Sequence, residues 1–391
     1  MKNKFFILIT LCLCLCGCEN YAELNRLSIA TAIAIDKADD EYKVSLLIAN
    51  SPKIQTSNKE GEATTTVYSA KAKDVSEAIK KIDRKTPKQL YFSHINIVII
   101  SKEIGKNGFF KTADWLIRHP QTRKKFYLMQ TNDDEAGDVL KIISPLESFP
   151  SQSIATLVES NHNSRSVGDT ASYSNFIGRI LEKGYEPILP TIKINGSVKK
   201  GENKENLETT EPKTYLSLGP LAIYRNDKFI DLTSQKQTQN IYVLNNEAKE
   251  VVYPIKYKNN NLSIFSNTLC SKTKLKNENE IDIFITGKGS IYSINGNMNL
   301  TNYNNMKKIE KDWNKIMKKD LKKLINEMKF KYESDIFGFG NLIYKNHPKK
   351  WKKLEKNWNK KYFKKLKINI HTNLKIISTG SLNQTLEGAA K

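Results

Sequence analysis

The chain begins MKNKFFILITLCLCLCGCEN, which holds four of its five cysteines, at positions 12, 14, 16 and 18; the fifth is Cys270. Alternate thiols of an extended chain share one side, an arrangement a thiophilic metal could use. A zinc site would need a further Cys or His pair downstream, and none follows. The flanking residues indicate different chemistry. Lys2 and Lys4 precede an apolar run from Phe5 to Leu15 broken only by Thr10. That run is too short to cross a bilayer, which takes about 20 apolar residues, and it matches the hydrophobic core of a secretion signal. It ends Leu15-Cys16-Gly17-Cys18, a Leu, two small residues and a Cys, in the manner of a bacterial lipobox. Small residues fit the peptidase, and the final thiol accepts diacylglycerol. The expectation is a lipoprotein signal over 1–17 and a lipidated Cys18. Cys12, Cys14 and Cys16 would leave with the signal, and Cys270 would have no disulfide partner.

Elsewhere, side chains with reactive potential are scattered. His94 lies in Phe92-Ser-His-Ile-Asn-Ile, and Ser93 beside it would point to the opposite face of a strand, so the two do not make a nucleophile and its base. His94 is expected to be structural. His119 and His347 precede prolines and mark turns, His162 falls in a polar loop, and His371 alternates with apolar residues on a terminal strand. No two histidines stand four apart, which removes the zinc-protease pattern. Asp133-Asp134-Glu135 suits the free N–H groups at a helix start better than a metal. Gly287-Lys-Gly-Ser lacks the phosphate-loop spacing, and Asp335-Ile-Phe-Gly-Phe-Gly lacks the partners of a kinase motif. Cys270 follows an apolar strand and is expected to be a buried thiol. No catalytic residue, cofactor site or metal site is assigned, and the chain reads as a non-enzyme.

Elements that would carry these residues follow from periodicity. Strands are expected at 27–36 and 42–49 around an acidic turn, then at 64–70, 91–100 and 126–130. Asp74 should cap a helix whose inner face is Val75, Ala78, Ile79 and Ile82. Further helices are expected around 106–118, from Asp133 with Val139, Leu140 and Ile143 inward, and through 150–183. Gly184-Tyr-Glu-Pro-Ile-Leu-Pro190 opens a new extended segment. Arg225-Asn226-Asp227 turns a hairpin between 221–224 and 228–232, with strands to follow at 250–257, 261–268 and 280–294. Met306, Ile309, Trp313, Ile316, Met317, Leu321, Leu324, Ile325 and Met328 keep helical spacing. A second basic helix runs through Trp351, Leu354 and Trp358 toward Phe363, and 368–377 closes as a strand. The fold class is α+β and multi-domain, with mixed β-sheets packed with helices and long amphipathic basic helices near the C-terminus. The divisions are the signal 1–17, an N-terminal α+β region 19–200 that is either one unit or two lobes split near 145, a linker or loop 201–213, and a C-terminal α+β domain 214–385.

The whole chain of 391 residues carries a net charge of +22, and it is unevenly spread. From Lys307 to Lys367 there are 21 lysines against 7 carboxylates. The plain reading is a solvated helix face in a chain rich in Lys, Asn and Ile. The others are contact with anionic lipid heads or an acidic partner. Nucleic acid is set aside, because a secreted, tethered chain rarely meets it.

Taken in order, these segments resemble the Ger(x)C, or GerAC-type, spore germination lipoproteins, the C subunits of nutrient germinant receptors. The resemblance rests on Gly17-Cys18, Glu23-Leu24-Asn25, Ile33-Ala-Ile-Asp36, Tyr42-Lys-Val-Ser, Ala49-Asn-Ser-Pro52, Glu77-Ala78-Ile79 and Leu90-Tyr-Phe-Ser-His94. It continues through Asp114-Trp-Leu-Ile-Arg118, Glu186-Pro-Ile-Leu-Pro190, Gly219-Pro-Leu-Ala-Ile-Tyr224, Asp335 to Gly340, Pro348, Trp351, Trp358 and the closing strand. The family often has Trp-Asp after the lipidated Cys and an Arg before the Glu, where this chain has Glu19, Asn20 and Ala22. The resemblance implies a non-catalytic lipoprotein with diacylglycerol, and optionally an N-acyl chain of palmitate type, on Cys18. It would sit in the membrane, lipid-anchored on the outer face of the spore inner membrane, with polytopic A-type and transporter-like B-type subunits as partners. The basic 307–367 region could meet lipid heads. The alternative is a solute-binding lipoprotein with a cleft between its halves; an envelope hydrolase is the third class.

Overall fold

A computed structural model of the chain describes residues 23–50, 64–165, 167–257, 260–295, 300 and 302–379. Cys18 and the signal lie outside the described residues, as does part of Ala49-Asn-Ser-Pro52. The molecule is α+β, with two sheets packed with helices in two domains.

The first sheet has nine strands: β1 (Leu27–Ala38), β2 (Glu41–Ala49), β3 (Thr65–Ala72), β4 (Gln89–Tyr91), β5 (Ile97–Ile100), β6 (Tyr127–Thr131), β7 (Ile188–Asn195), β8 (Tyr215–Arg225) and β9 (Lys228–Leu232). Their order is β3-β2-β1-β5-β6-β7-β8-β9, with β4 also on β1. The β1–β5–β6–β7 centre is parallel, and hairpins flank it on both sides. Apolar β1 alternates between two cores. Ala30, Ile33 and Ile35 face one, and Ala32 and Ala34 face the other, as a central strand covered on both faces requires.

Over the first core lie α1 (Val75–Asp83), α2 (Lys102–Asn107) and α3 (Phe110–Arg118). Asp74 caps α1 by accepting the Glu77 N–H at 2.8 Å, and Val75, Ala78, Ile79 and Ile82 are all buried. A cap of this kind contributes about 1 kcal/mol. The single helix expected over 106–118 is two helices, because Gly108 at φ +99° turns the chain between α2 and α3. The opposite face takes α4 (Ala136–Val139), α5 (Pro150–Arg165) and α6 (Val167–Ala171), and α7 (Tyr173–Leu181) returns to the first core.

The expected strand 91–100 is interrupted. β4 and β5 both pair with β1, but five residues, Phe92 to Asn96, separate them where β1 spends only two, Ala30 and Thr31. Phe92 and Ile95 of this segment stay buried in the first core, and His94 turns outward. The Asn96 N–H still bonds the Thr31 carbonyl at 3.0 Å. The hairpin at 225–227 forms as expected, with Asn226 at φ +53°. However, β8 pairs with β7, so 215–232 completes the first sheet. The stretch 201–213 includes a short turn at 204–206 whose Asn206 is buried and bonds Thr214 and Ile143.

After α8 (Gln235–Leu244) comes the second sheet: β10 (Val251–Tyr257), β11 (Asn260–Ser266), β12 (Cys270–Asn277), β13 (Glu280–Asn295) and β14 (Lys367–Ser378). Long β13 carries β11 and β12 end to end along one edge and β14, parallel, along the other. α9 (Tyr303–Glu327) packs on this sheet through Ile309, Trp313, Met317, Leu321, Leu324 and Ile325. It also covers the β14 edge. Asn314 gives its Nδ2 to the Leu374 carbonyl at 2.8 Å and takes the Leu374 N–H at 3.0 Å. Glu310 takes the Ile376 N–H at 3.1 Å. Two side chains thus complete hydrogen bonds that an open edge would leave to a stray strand. α10 (Phe339–Asn346) and α11 (Pro348–Leu354) follow. One apolar core runs without a break from the α5 face of the first sheet to α9. Among the described residues no helix is long and apolar enough to cross a membrane.

Candidate functional site

The residues with reactive potential stay apart. His94 is exposed in the loop between β4 and β5, against the Tyr91 ring, and not in a strand as expected. His119 ends α3 and His347 joins α10 to α11. His162 lies in the span of α5, not a loop. His371 on β14 bonds Asp282 at 3.1 Å and stacks on Phe284. Gly287-Lys-Gly-Ser is the middle of β13.

Against the expectation of a buried thiol, Cys270 is exposed. It opens β12, a strand with no clear apolar alternation in the sequence, which among the described residues pairs only with β13 and whose Lys272, Lys274 and Lys276 alternate along it. No residue of β12 is fully buried, so neither of its faces is covered as the inner faces of β10 and β14 are. Among the described residues no three His, Cys, Asp or Glu side chains come close enough to hold a metal ion.

Asp133-Asp134-Glu135 precedes α4, but the carboxylate that caps this helix is Asp36, from the end of β1. Its two oxygens accept the Ala136 and Gly137 N–H groups at 2.7 and 2.9 Å. Burial raises its pKa, against the pull of those two bonds. Glu135 instead meets Lys43 at 2.5 Å, and Asp134 takes the Ile194 N–H at 3.1 Å.

The densest polar cluster joins the two domains. The segment Gly184-Tyr-Glu-Pro, leading into β7, lies against the turn Ser334-Asp-Ile-Phe-Gly-Phe-Gly340 between α9 and α10. Asp335 is fully buried. It accepts the N–H groups of Phe337, Phe339 and Gly340 at 3.3, 3.2 and 2.8 Å, and the Trp358 indole N–H at 2.8 Å. Its carbonyl takes the Glu186 N–H at 3.0 Å. The Glu186 carboxylate takes the Asn226 N–H at the β8–β9 turn and the Asn359 amide, both at 2.5 Å. Asn359 is the bridge, since its Oδ1 also accepts the Asp335 N–H at 3.1 Å. Ser334 donates to the Tyr224 carbonyl at 2.6 Å, and Asn341 bonds the carbonyls of Lys183 and Gly184.

Two carboxyls share this buried seam. Burial pushes Asp335 up to about 6, although four donors pull it down. Burial pushes Glu186 up to about 7, helped by the nearby Asp335 charge and opposed by its two hydrogen bonds and Arg225. Lys329 beneath them donates to the Leu366 carbonyl and is pushed down to about 8, again by burial. A second buried pair, Arg179 on α7 with Glu247 after α8 at 2.9 Å, flanks the seam, with the Arg179 guanidinium over the Tyr185 ring. All four carboxylate oxygens of Glu186 and Asp335 accept from protein donors. The arrangement fixes one domain on the other. Sequence reasoning dismissed Asp335 and passed over Glu186 and Asp36. Each borders an apolar run, Asp36 at the end of Ile33-Ala-Ile, Glu186 before Pro187-Ile-Leu and Asp335 before Ile336-Phe, with other charged residues close by in sequence that hide the signal.

Apart from the joint, a groove of about 680 Å³ runs between β8, α8 and the β10–β11 edge, lined by Pro220, Gln235, Gln239, Tyr242, Val251 and Phe265.

Comparison with known proteins agrees with this architecture. Residues 20–194 match the family described as spore germination protein N-terminal domain, and residues 220–380 match spore germination B3/GerAC like, C-terminal. Spore germination protein KC of Bacillus subtilis (strain 168) is 24% identical over 95% of this chain and 94% of its own length. Spore germination protein B3 of the same organism is 23% identical over 97% of each. The crystal structure of the GerBC protein shares the fold at a TM-score of 0.53, with 17% identity over 91% of this chain and all of that one. The two halves that meet at the Glu186–Asp335 joint are thus the two halves of one known architecture, and the chain belongs to the GerAC-type family of spore germination proteins.

Proposed function

We propose that this chain is the lipid-anchored, non-catalytic subunit of a spore nutrient germinant receptor, needed for assembly or signalling. In this reading Cys18 holds it on the outer face of the spore inner membrane, beside polytopic A-type and transporter-like B-type subunits. The observation that carries the reading is the collinear match of both family halves between residues 20 and 380, on relatives whose lengths the chain spans almost entirely. The joint supports a scaffold role, because its carboxylates are buried and fully committed to protein donors. One acyl chain anchors only marginally and two hold stably. A diacylated Cys18 would keep both domains near the membrane and raise their effective concentration for partners, with the basic 307–367 region as a contact for lipid heads. Replacing Cys18→Ala in spores tests this. The protein should leave the membrane fraction and the nutrient response should fall; retention together with a normal response contradicts it.

The groove beside α8 favours one other reading, a solute-binding lipoprotein that captures a small nutrient itself. It lies between the two sheets and is large enough for a small solute. Titration calorimetry with common germinants decides. Micromolar binding that Gln239→Ala abolishes would support direct capture, and no heat would remove it.

A further inference from the structure

A helix that only has to face water normally carries both signs of charge, with Glu and Lys alternating at i,i+4. The outer face of α9 does not. At 3.6 residues per turn, Lys308, Lys311, Lys315, Lys318, Lys319 and Lys322 fall within about 100° of arc, opposite the stripe that α9 buries. Asn304 and Asn326 are the only other residues in that arc. All six lysines are exposed, and among the described residues none has an ion-pair partner. The carboxylates of the helix lie outside the arc and are mostly engaged elsewhere. Glu310 serves Lys307 and the Ile376 N–H. Asp320 serves Tyr253 and Lys236, and Glu327 serves Gln237 and Lys323. Asp312 sits just past the edge of the arc.

The six lysines therefore make six like-charge neighbours at i,i+3 or i,i+4, each of which works against an isolated helix. An anionic surface laid on this face would relieve that repulsion. The stripe is straight and about 21 Å long from Lys308 to Lys322. It holds no Arg and no aromatic residue, so it lacks the planar fork that reads a shaped carboxylate or phosphate site and the rings on which bases stack. Hydrated point charges on flexible stems suit a diffuse, planar array of negative groups.

We propose that this face of α9 docks on anionic phospholipid headgroups, a second membrane attachment beside Cys18. The proposal rests on the lipoprotein reading only for the nearness of a membrane, and its test is run without acyl chains. The full chain carrying Cys18→Ser is floated with phosphatidylcholine vesicles, with and without phosphatidylglycerol. Binding should appear only with phosphatidylglycerol and weaken as salt rises. Replacing all six lysines by Gln should weaken it at least about 100-fold, with a melting temperature no lower than that of the parent. Equal binding to both vesicles, or undiminished binding by the Gln variant, overturns the proposal. So does failure to bind phosphatidylglycerol by a chain that binds duplex DNA or polyglutamate, which would assign the face to nucleic acid or to an acidic protein. A Cys18→Ala strain with normal germination would contradict the receptor reading and leave this result standing.

Discussion

Glu186 should make the joint between the domains sensitive to pH, in a direction the structure fixes. Its carboxyl is raised from 4.5 to about 7, chiefly by burial. Between those values the folded chain holds a proton that the unfolded chain has lost, so stability falls as pH rises. At about 1.4 kcal/mol per pH unit, the loss attributable to this group between pH 5 and pH 8 is about 2.5 kcal/mol. Glu186→Gln keeps the shape and removes the proton exchange. It also turns one acceptor into a donor facing a donor, either the Asn226 N–H or the Asn359 amide, at a cost of about 1–3 kcal/mol. The variant should therefore melt below the parent at pH 5 and draw level with it, or pass it, at pH 8. With about 2–4 °C per kcal/mol for a domain of this size, the gap between the two melting curves should close by roughly 5–10 °C across that window. Asp36 and Glu247 tilt both proteins in the same sense, and Lys329 acts only from about 8 upward, so the difference reports Glu186 together with its coupling to the neighbouring Asp335. Calorimetric scans at half-unit pH steps measure it. Parallel curves for parent and variant would refute the reasoning.

Three further changes probe the frame. Gly340→Ala would place a methyl 2.7 Å from the Trp358 indole nitrogen and 2.8 Å from Trp351, so it should destabilise the joint by at least about 2 kcal/mol in chemical denaturation. Asn314→Leu removes both bonds to Leu374 and should cost about 2 kcal/mol, with faster hydrogen exchange at the Leu374 amide and unchanged exchange in β1. Asp36→Asn leaves one of the two N–H groups at the start of α4 facing an amide donor. It should cost about 2 kcal/mol and lessen the fall in stability as pH rises, read from the same scans.

Where a pattern is local, the residues reveal the structure. The Asp74 cap, the β1–β2 hairpin, the 225–227 turn and the nine apolar positions of 306–328 all follow from spacing within a few turns. The failures involve partners far along the chain. The apolar stretch 91–100 reads as one strand because nothing in it says that β1 is shorter by three residues at that point. Strand β12 has one aliphatic side chain, Leu275, and forms because β13 offers an edge. Strand β8 looks like the start of a new domain, since pairing with β7 across 19 intervening residues leaves no local mark. Cys270 is exposed because β12 has no fully buried residue on either face, and no local pattern announces that. The joint was the least legible feature. Glu186 and Asp335 are 149 positions apart, and only the fold shows that one asparagine, Asn359, bonds both.

A chain that works as one subunit of a membrane receptor should travel with the other subunits. Solubilising the spore inner membrane in mild detergent and isolating the chain through a C-terminal tag tests it most directly. A polytopic subunit and a transporter-like subunit should be recovered with it in constant ratio, and should be lost when Cys18 is replaced. Recovery of the chain alone from spores that respond normally to nutrients, with or without its gene, would contradict it.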